Sequence, residues 1–136
     1  MADKYHLFIS HSWSYSDAYE RLVALLNQSD LVYSNYSVPK SDPIHTRGTD
    51  KELYNAIKQQ IACSSVVIIL AGVYASYSKW IDKEIAIAKN EFLNAKPILA
   101  IEPFGSEKTS VKVKDNANEV VKWNTNSIVN AIKRLC

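Results

Sequence analysis

Five consecutive apolar residues, Val66, Val67, Ile68, Ile69 and Leu70, follow the serine pair Ser64 and Ser65, and they constrain the fold more than any other stretch. Four of the five are β-branched, and no polar residue alternates with them. A strand of this kind is buried on both faces, as strands are in a parallel sheet with helices above and below it. Ser65 to Leu70 is therefore expected to be a central strand, and the rest of the chain has to supply the neighbouring strands and the helices that cover them.

The flanking segments do so in alternation. Tyr5 to Ser10 reads as a strand, and Ser14 to Gln28 then carries Ala18, Leu22, Leu25 and Leu26 at helical spacing. Tyr33 to Val38 is a more polar strand, followed by turn-rich Pro39 to Gly48. Thr49 opens a capping box with Glu52, and Leu53, Ala56, Ile57 and Ile61 give the next helix its buried face. Ser78 is a good N-cap for a helix whose Ile81, Ile85, Ala88 and Phe92 draw one apolar stripe. Pro97 to Glu102 is a fourth strand, and Pro103 to Asn118 is loop or a short irregular helix. Val120 to Trp123 is a weak fifth strand. Thr125 to Leu135 is a last helix, with Ile128, Ala131, Ile132 and Leu135 turned inward.

Five strands alternating with helices imply an α/β fold, a doubly wound parallel sheet in the flavodoxin-like order 2-1-3-4-5 with helices on both faces. At 136 residues, 47% hydrophobic, the chain supports one domain over residues 1–136 with a real core. Ligands in such sheets bind at the carboxyl ends of the strands, near the switch point between the first and third. The segments after those strands, Ser10 to Trp13 and Ala71 to Lys79, meet there, joined by Lys40 to Gly48 from the second strand.

At that edge the sequence places Trp80 and Glu84 four residues apart at the start of a helix. They lie about 40° apart on one face, one turn separating them, so a planar ligand stacked on the ring can have its hydroxyls met by the carboxylate. Glu84 falls roughly 70° from the centre of the apolar stripe, a partly desolvated position. The helix dipole opposes that desolvation, and the sequence fixes no pKa. Without further information a tryptophan and an acid at this spacing read more readily as a packing residue beside a solvated carboxylate.

Other features exclude function classes. A net charge of +2, with lysines spread between acids, lacks the basic stripe of nucleic-acid binding, so no nucleic-acid partner is expected. The longest apolar run, Val66 to Ala75, is half a membrane span, and the N-terminus lacks the regions of a signal peptide. A cytoplasmic protein with no membrane partner is the expectation. Two cysteines make no disulfide framework, and no Cys/His cluster has metal-ligand spacing, so no metal is expected; Cys63 reads as a small core residue. The three glycines form no dinucleotide fingerprint. His6 and His45 read as structural or solvent-facing, Asp17 as helix-start electrostatics, and Glu102 as an acid at a strand end. The eight tyrosines can serve either an assembly surface or a pocket.

Tyr5-His6-Leu7-Phe8-Ile9-Ser10-His11-Ser12, with Asp17 downstream, resembles the first box of TIR domains, and Ser78-Lys79-Trp80-Ile81-Asp82-Lys83-Glu84 resembles their Trp-Cys-x-x-Glu segment. Nearly the whole chain is similar to the bacterial TIR-like family of ThsB-type sensors in Thoeris anti-phage defence. Two departures stand out: Ile81 replaces the common Cys, and Lys40 to Gly48 lacks the Arg-Asp-x-x-Pro-Gly pattern. The resemblance implies a flavodoxin-like fold and cleavage of the nicotinamide glycosidic bond of NAD, with Glu84 catalytic and no cofactor beside NAD as substrate. It also implies an ADP-ribose-derived signal to a downstream effector, a phage-derived trigger, and self-association on activation. Phe8, Ser10, His11, Ser12, Tyr77, Trp80 and Arg47 are the candidate substrate-binding residues. Two other readings stay open, a non-catalytic TIR-type adaptor and a nucleoside deoxyribosyltransferase-like enzyme. A response-regulator receiver needs an acidic pocket where this chain has Ser10, His11 and Ser12.

Overall fold

A computed structural model describes residues 4–10, 16–36, 49–70, 79–102 and 111–136, with the side chains of 16–19, 79–81 and 111–112 outside that description. The strands are β1 (Tyr5–Ile9), β2 (Tyr33–Asn35), β3 (Val66–Leu70), β4 (Ile98–Ile101) and β5 (Glu119–Val121). The helices are α1 (Ser16–Gln28), α2 (Asp50–Cys63), α3 (Lys79–Asn90), α4 (Val111–Asn116) and α5 (Thr125–Leu135). Every strand pairing is parallel and the sheet order is β2-β1-β3-β4-β5.

The run that most constrained the fold does lie at the centre. All five residues of β3 are buried, between β1 on one side and β4 on the other, with Ile68 opposite both Ile9 and Leu99. Strand alternation sends its side chains to two cores. Val66, Ile68 and Leu70 pack with Leu22 and Leu26 of α1 and with Ile128 and Ile132 of α5. Val67 and Ile69 pack with Leu53 and Ile57 of α2 and with Ile85 and Ile87 of α3. Each such side chain contributes about 1.5–3 kcal/mol of burial.

Helix starts follow the capping residues. Thr49 sits in extended backbone, φ −76° and ψ 165°, and its hydroxyl accepts from the Glu52 amide at 3.1 Å. The Glu52 carboxylate in turn accepts from the Thr49 hydroxyl at 3.2 Å. Thr49→Ala is expected to lower stability by about 1 kcal/mol, read as a drop in the urea midpoint at unchanged slope. Asn124 caps α5 in the same manner, accepting from the Ser127 amide.

The open expectation for Pro103 to Asn118 becomes a six-residue helix, α4, with Val113 in the core; residues 103–110 lie outside the described residues. Asn118 then joins the sheet through its amide and its side chain. Its amide donates to the Ile98 carbonyl and its side-chain oxygen accepts from the Ile98 amide, each at 2.8 Å. Cys63 is a correction: it is exposed rather than a core residue. Leu53, Ile57 and Ile61 keep four-residue spacing on the buried face, and two residues beyond Ile61 the helix has turned about 200°. Among the described residues no helix is long and apolar enough to cross a membrane.

Candidate active site

The site is assembled where β1 and β3 end. Ser10 follows β1 directly, and its amide donates to the Ile68 carbonyl at 2.8 Å, extending the ladder by one residue. Alternation puts Ser10 on the same face as Phe8, the face covered by α2 and α3. Glu84 is the sixth residue of α3 and lies over this face. The helix is tied to α2 at its far end by Glu91, which accepts from the Tyr54 hydroxyl at 3.0 Å and pairs with Lys58 at 3.1 Å. Those two donors hold the Glu91 carboxyl below its ordinary value, Lys58 more strongly than Tyr54.

Glu84 is buried more deeply than its spacing suggested, at 4% exposure. The reason is Ile87, fully buried and absent from the apolar stripe read in the sequence. Adding Ile87 widens the buried face and moves its centre to within roughly 20° of Glu84. The carboxyl thus sits among apolar neighbours, and burial pushes its pKa from 4.5 up to about 8. The Ser10 hydroxyl pulls it back down, a weaker influence than burial. At neutral pH most of the Glu84 carboxyl in this state is therefore protonated.

Ser10 is also buried, at 2% exposure. Ser10 Oγ and Glu84 Oε2 are both without a hydrogen-bond partner of ordinary geometry among the described residues. The hydroxyl acts on the carboxyl at close range, but the pair has not closed into a hydrogen bond. Buried polar atoms are rarely left unpartnered, so these two single the place out as the candidate site.

The other expected site residues divide by position. Phe8, 1% exposed, packs in the core two residues below Ser10 and forms the floor under it. Trp80 lies in the first turn of α3, one turn before Glu84, and its side chain lies outside the described residues. His11, Ser12, Arg47 and Tyr77 lie outside the described residues altogether, as does His45.

Residues set aside in the sequence find other roles. His6 Nδ1 lies 3.1 Å from the Tyr36 hydroxyl, part-buried between β1 and the end of β2. Glu102, just past β4, is paired with Lys114 of α4 at 3.5 Å, a partner twelve residues away that no local pattern signals. A cavity of about 250 Å³ lined by Lys89, Lys96, Pro97, Asn116 and Asn118 lies at the opposite edge, below the starts of β4 and β5. It is not part of the site, which the buried carboxyl and the strand ends define.

Residues 8–108, about three quarters of the chain, match the family described as Thoeris protein ThsB, TIR-like domain. No curated protein matches the chain.

Proposed function

The chain belongs to the Thoeris ThsB TIR-like family, and from that premise we propose that it is an anti-phage defence enzyme that cleaves the nicotinamide glycosidic bond of NAD and releases an ADP-ribose-derived signal. The observation that carries this reading is the buried Glu84 carboxyl, its Oε2 unpartnered, with the unpartnered Ser10 hydroxyl at the β1–β3 switch point.

Breaking the bond between the ribose anomeric carbon and the pyridinium nitrogen sends the electron pair to nicotinamide, which leaves neutral. Positive charge develops on the ribose, and a carboxylate at that point stabilises it. No acid is needed for the leaving group, so the working form of Glu84 is the ionised one. The substrate helps to produce it, because a cationic nicotinamide ring beside the buried carboxyl favours the charged form. Water then captures the ribose to give ADP-ribose, a hydroxyl or nitrogen of the same nucleotide gives a cyclic isomer, and a hydroxyl or amine of a second small molecule gives a conjugate, the nucleophile losing its proton in each case. Trp80 stacks on a ring of the dinucleotide, the Ser10 oxygen accepts a hydrogen bond from it, and His11, Ser12, Tyr77 and Arg47 supply further hydrogen bonds and charge around it, with Phe8 beneath.

This assignment fixes the sign of the pH dependence. For kcat/KM, which reports the free enzyme, activity is expected to rise about tenfold per pH unit below about 8 and level off above it. For kcat the rise falls at lower pH, because bound NAD already favours the carboxylate.

The experiment is mass spectrometry of nucleotides in bacteria expressing the chain, with and without phage. Loss of NAD or a new ADP-ribose species during infection supports the signal synthase and identifies its product. An unchanged pool under infection that proceeds favours an adaptor, and base exchange on free nucleosides with NAD untouched favours a nucleoside transferase.

A further inference from the structure

We propose that Ser10 is a positioning residue that sets the protonation state of Glu84, by closing its hydroxyl onto Glu84 Oε2 when the carboxyl becomes charged. The catalytic meaning of this pairing rests on the proposed function; the pairing itself rests on the burial of both groups and on their two unpartnered oxygens.

A serine hydroxyl can donate one hydrogen bond, and that of Ser10 makes none of ordinary geometry among the described residues. An ionised carboxylate needs donors on its oxygens, and Glu84 Oε2 has none. Both groups are more than nine-tenths buried, one at a strand end and the other on the helix packed over it, so neither reaches water. The strand fixes the serine backbone through the Ser10 amide bond to Ile68, which leaves rotation of the hydroxyl as the cheap motion.

Among the described residues, charged groups on the surrounding elements do not take this role. On α2, Tyr54 and Lys58 are committed to Glu91, about two turns along α3 from Glu84. On β1, His6 is paired with Tyr36. Beyond β4, Glu102 and Lys114 pair with each other. On α3 itself Asp82 is exposed, Lys83 half-buried and Lys89 exposed. Among the described residues, burial and the Ser10 hydroxyl are the influences on the Glu84 carboxyl, and of these the hydroxyl favours its charged form. Ser10 therefore decides how readily a buried acid becomes a usable anion.

The test is a carboxyl carbon NMR titration of Glu84 in wild type, Ser10→Thr and Ser10→Val, with the resonance assigned by its loss in Glu84→Gln. Threonine and valine have nearly the same shape, and only threonine keeps the hydroxyl. Ser10→Thr is expected to titrate with wild type. Ser10→Val is expected to titrate at a pH roughly one to two higher, the range for one hydrogen bond to a charged group. Ser10→Ala, which adds no bulk, reads the same shift should the valine variant not fold. Equal titration of wild type and the variants lacking the hydroxyl overturns the proposal, as does a threonine variant shifted as far as valine. The readout involves no NAD. A chain that shows the titration shift but never cleaves NAD loses the proposed function and keeps the pairing; one that cleaves NAD without the shift does the reverse.

Discussion

Glu84→Gln is expected to cut NAD cleavage by on the order of 10²- to 10³-fold, the usual effect of removing one preorganised electrostatic contact from a transition state. Glutamine keeps the size and the neutral resting charge of the protonated side chain, so the substitution alters little until charge has to develop on the ribose. The effect should therefore appear in kcat and kcat/KM alike, with binding of ADP-ribose or of an uncleaved analogue nearly unchanged. Steady-state turnover by purified protein, alongside a binding isotherm for the analogue, separates these terms. A variant that retains more than a tenth of wild-type turnover would remove Glu84 from the catalytic role.

The second large effect is on stability, and its sign is opposite. Glu84 has a folded-state pKa of about 8 against 4.5 for an unperturbed carboxyl. Below pH 4.5 the group is protonated in both states and costs the fold nothing through ionisation. Between pH 4.5 and 8 the unfolded chain releases the proton while the folded chain keeps it, so stability falls by about 1.4 kcal/mol per pH unit. Above pH 8 both states are ionised and the full difference, roughly 5 kcal/mol, has been lost. Glu84→Gln has no such titration. Its melting temperature should match wild type near pH 4 and exceed it by roughly 10–20 °C near pH 9, measured by thermal unfolding across that range. Parallel curves for the two proteins would mean that Glu84 charges freely inside the fold. One substitution is thus expected to raise stability and abolish activity, as when a site keeps a strained group for its chemistry.

Much of this arrangement was legible in the sequence, because it rests on local signals. β3 announced itself as an unbroken apolar run, Thr49 as a cap, and α5 by its inward Ile128, Ala131 and Ile132. Together with the crossover rules, the alternation of elements gave the sheet order. The depth of Glu84 was not legible. It depends on Ile87, which lies off a stripe drawn through Ile81, Ile85, Ala88 and Phe92 and is buried only because α3 meets both α2 and the sheet. The pairing of Glu102 with Lys114 and of Tyr54 with Glu91 joins residues far apart in the chain, and periodicity carries no trace of such contacts. Cys63 was misplaced because its residue type suggests burial while its rotation on α2 points it outward. α4 is too short for a helical period to emerge, with Val113 its one core residue among the described side chains.

The order of strands also governs when a working molecule can exist during its own synthesis. β1 lies in the sheet beside β3, yet its partner is made some sixty residues later, and Glu84 follows Ser10 by 74 residues. At bacterial elongation rates of about 5–20 residues per second, the first strand waits roughly 4–15 s before the helix that completes the site has even been translated. Until then no nascent chain can hold both halves of the Ser10 and Glu84 pair. A protein proposed to consume a central cofactor is in this way born inactive, and translation broken off before α3 leaves only fragments without a carboxylate to use.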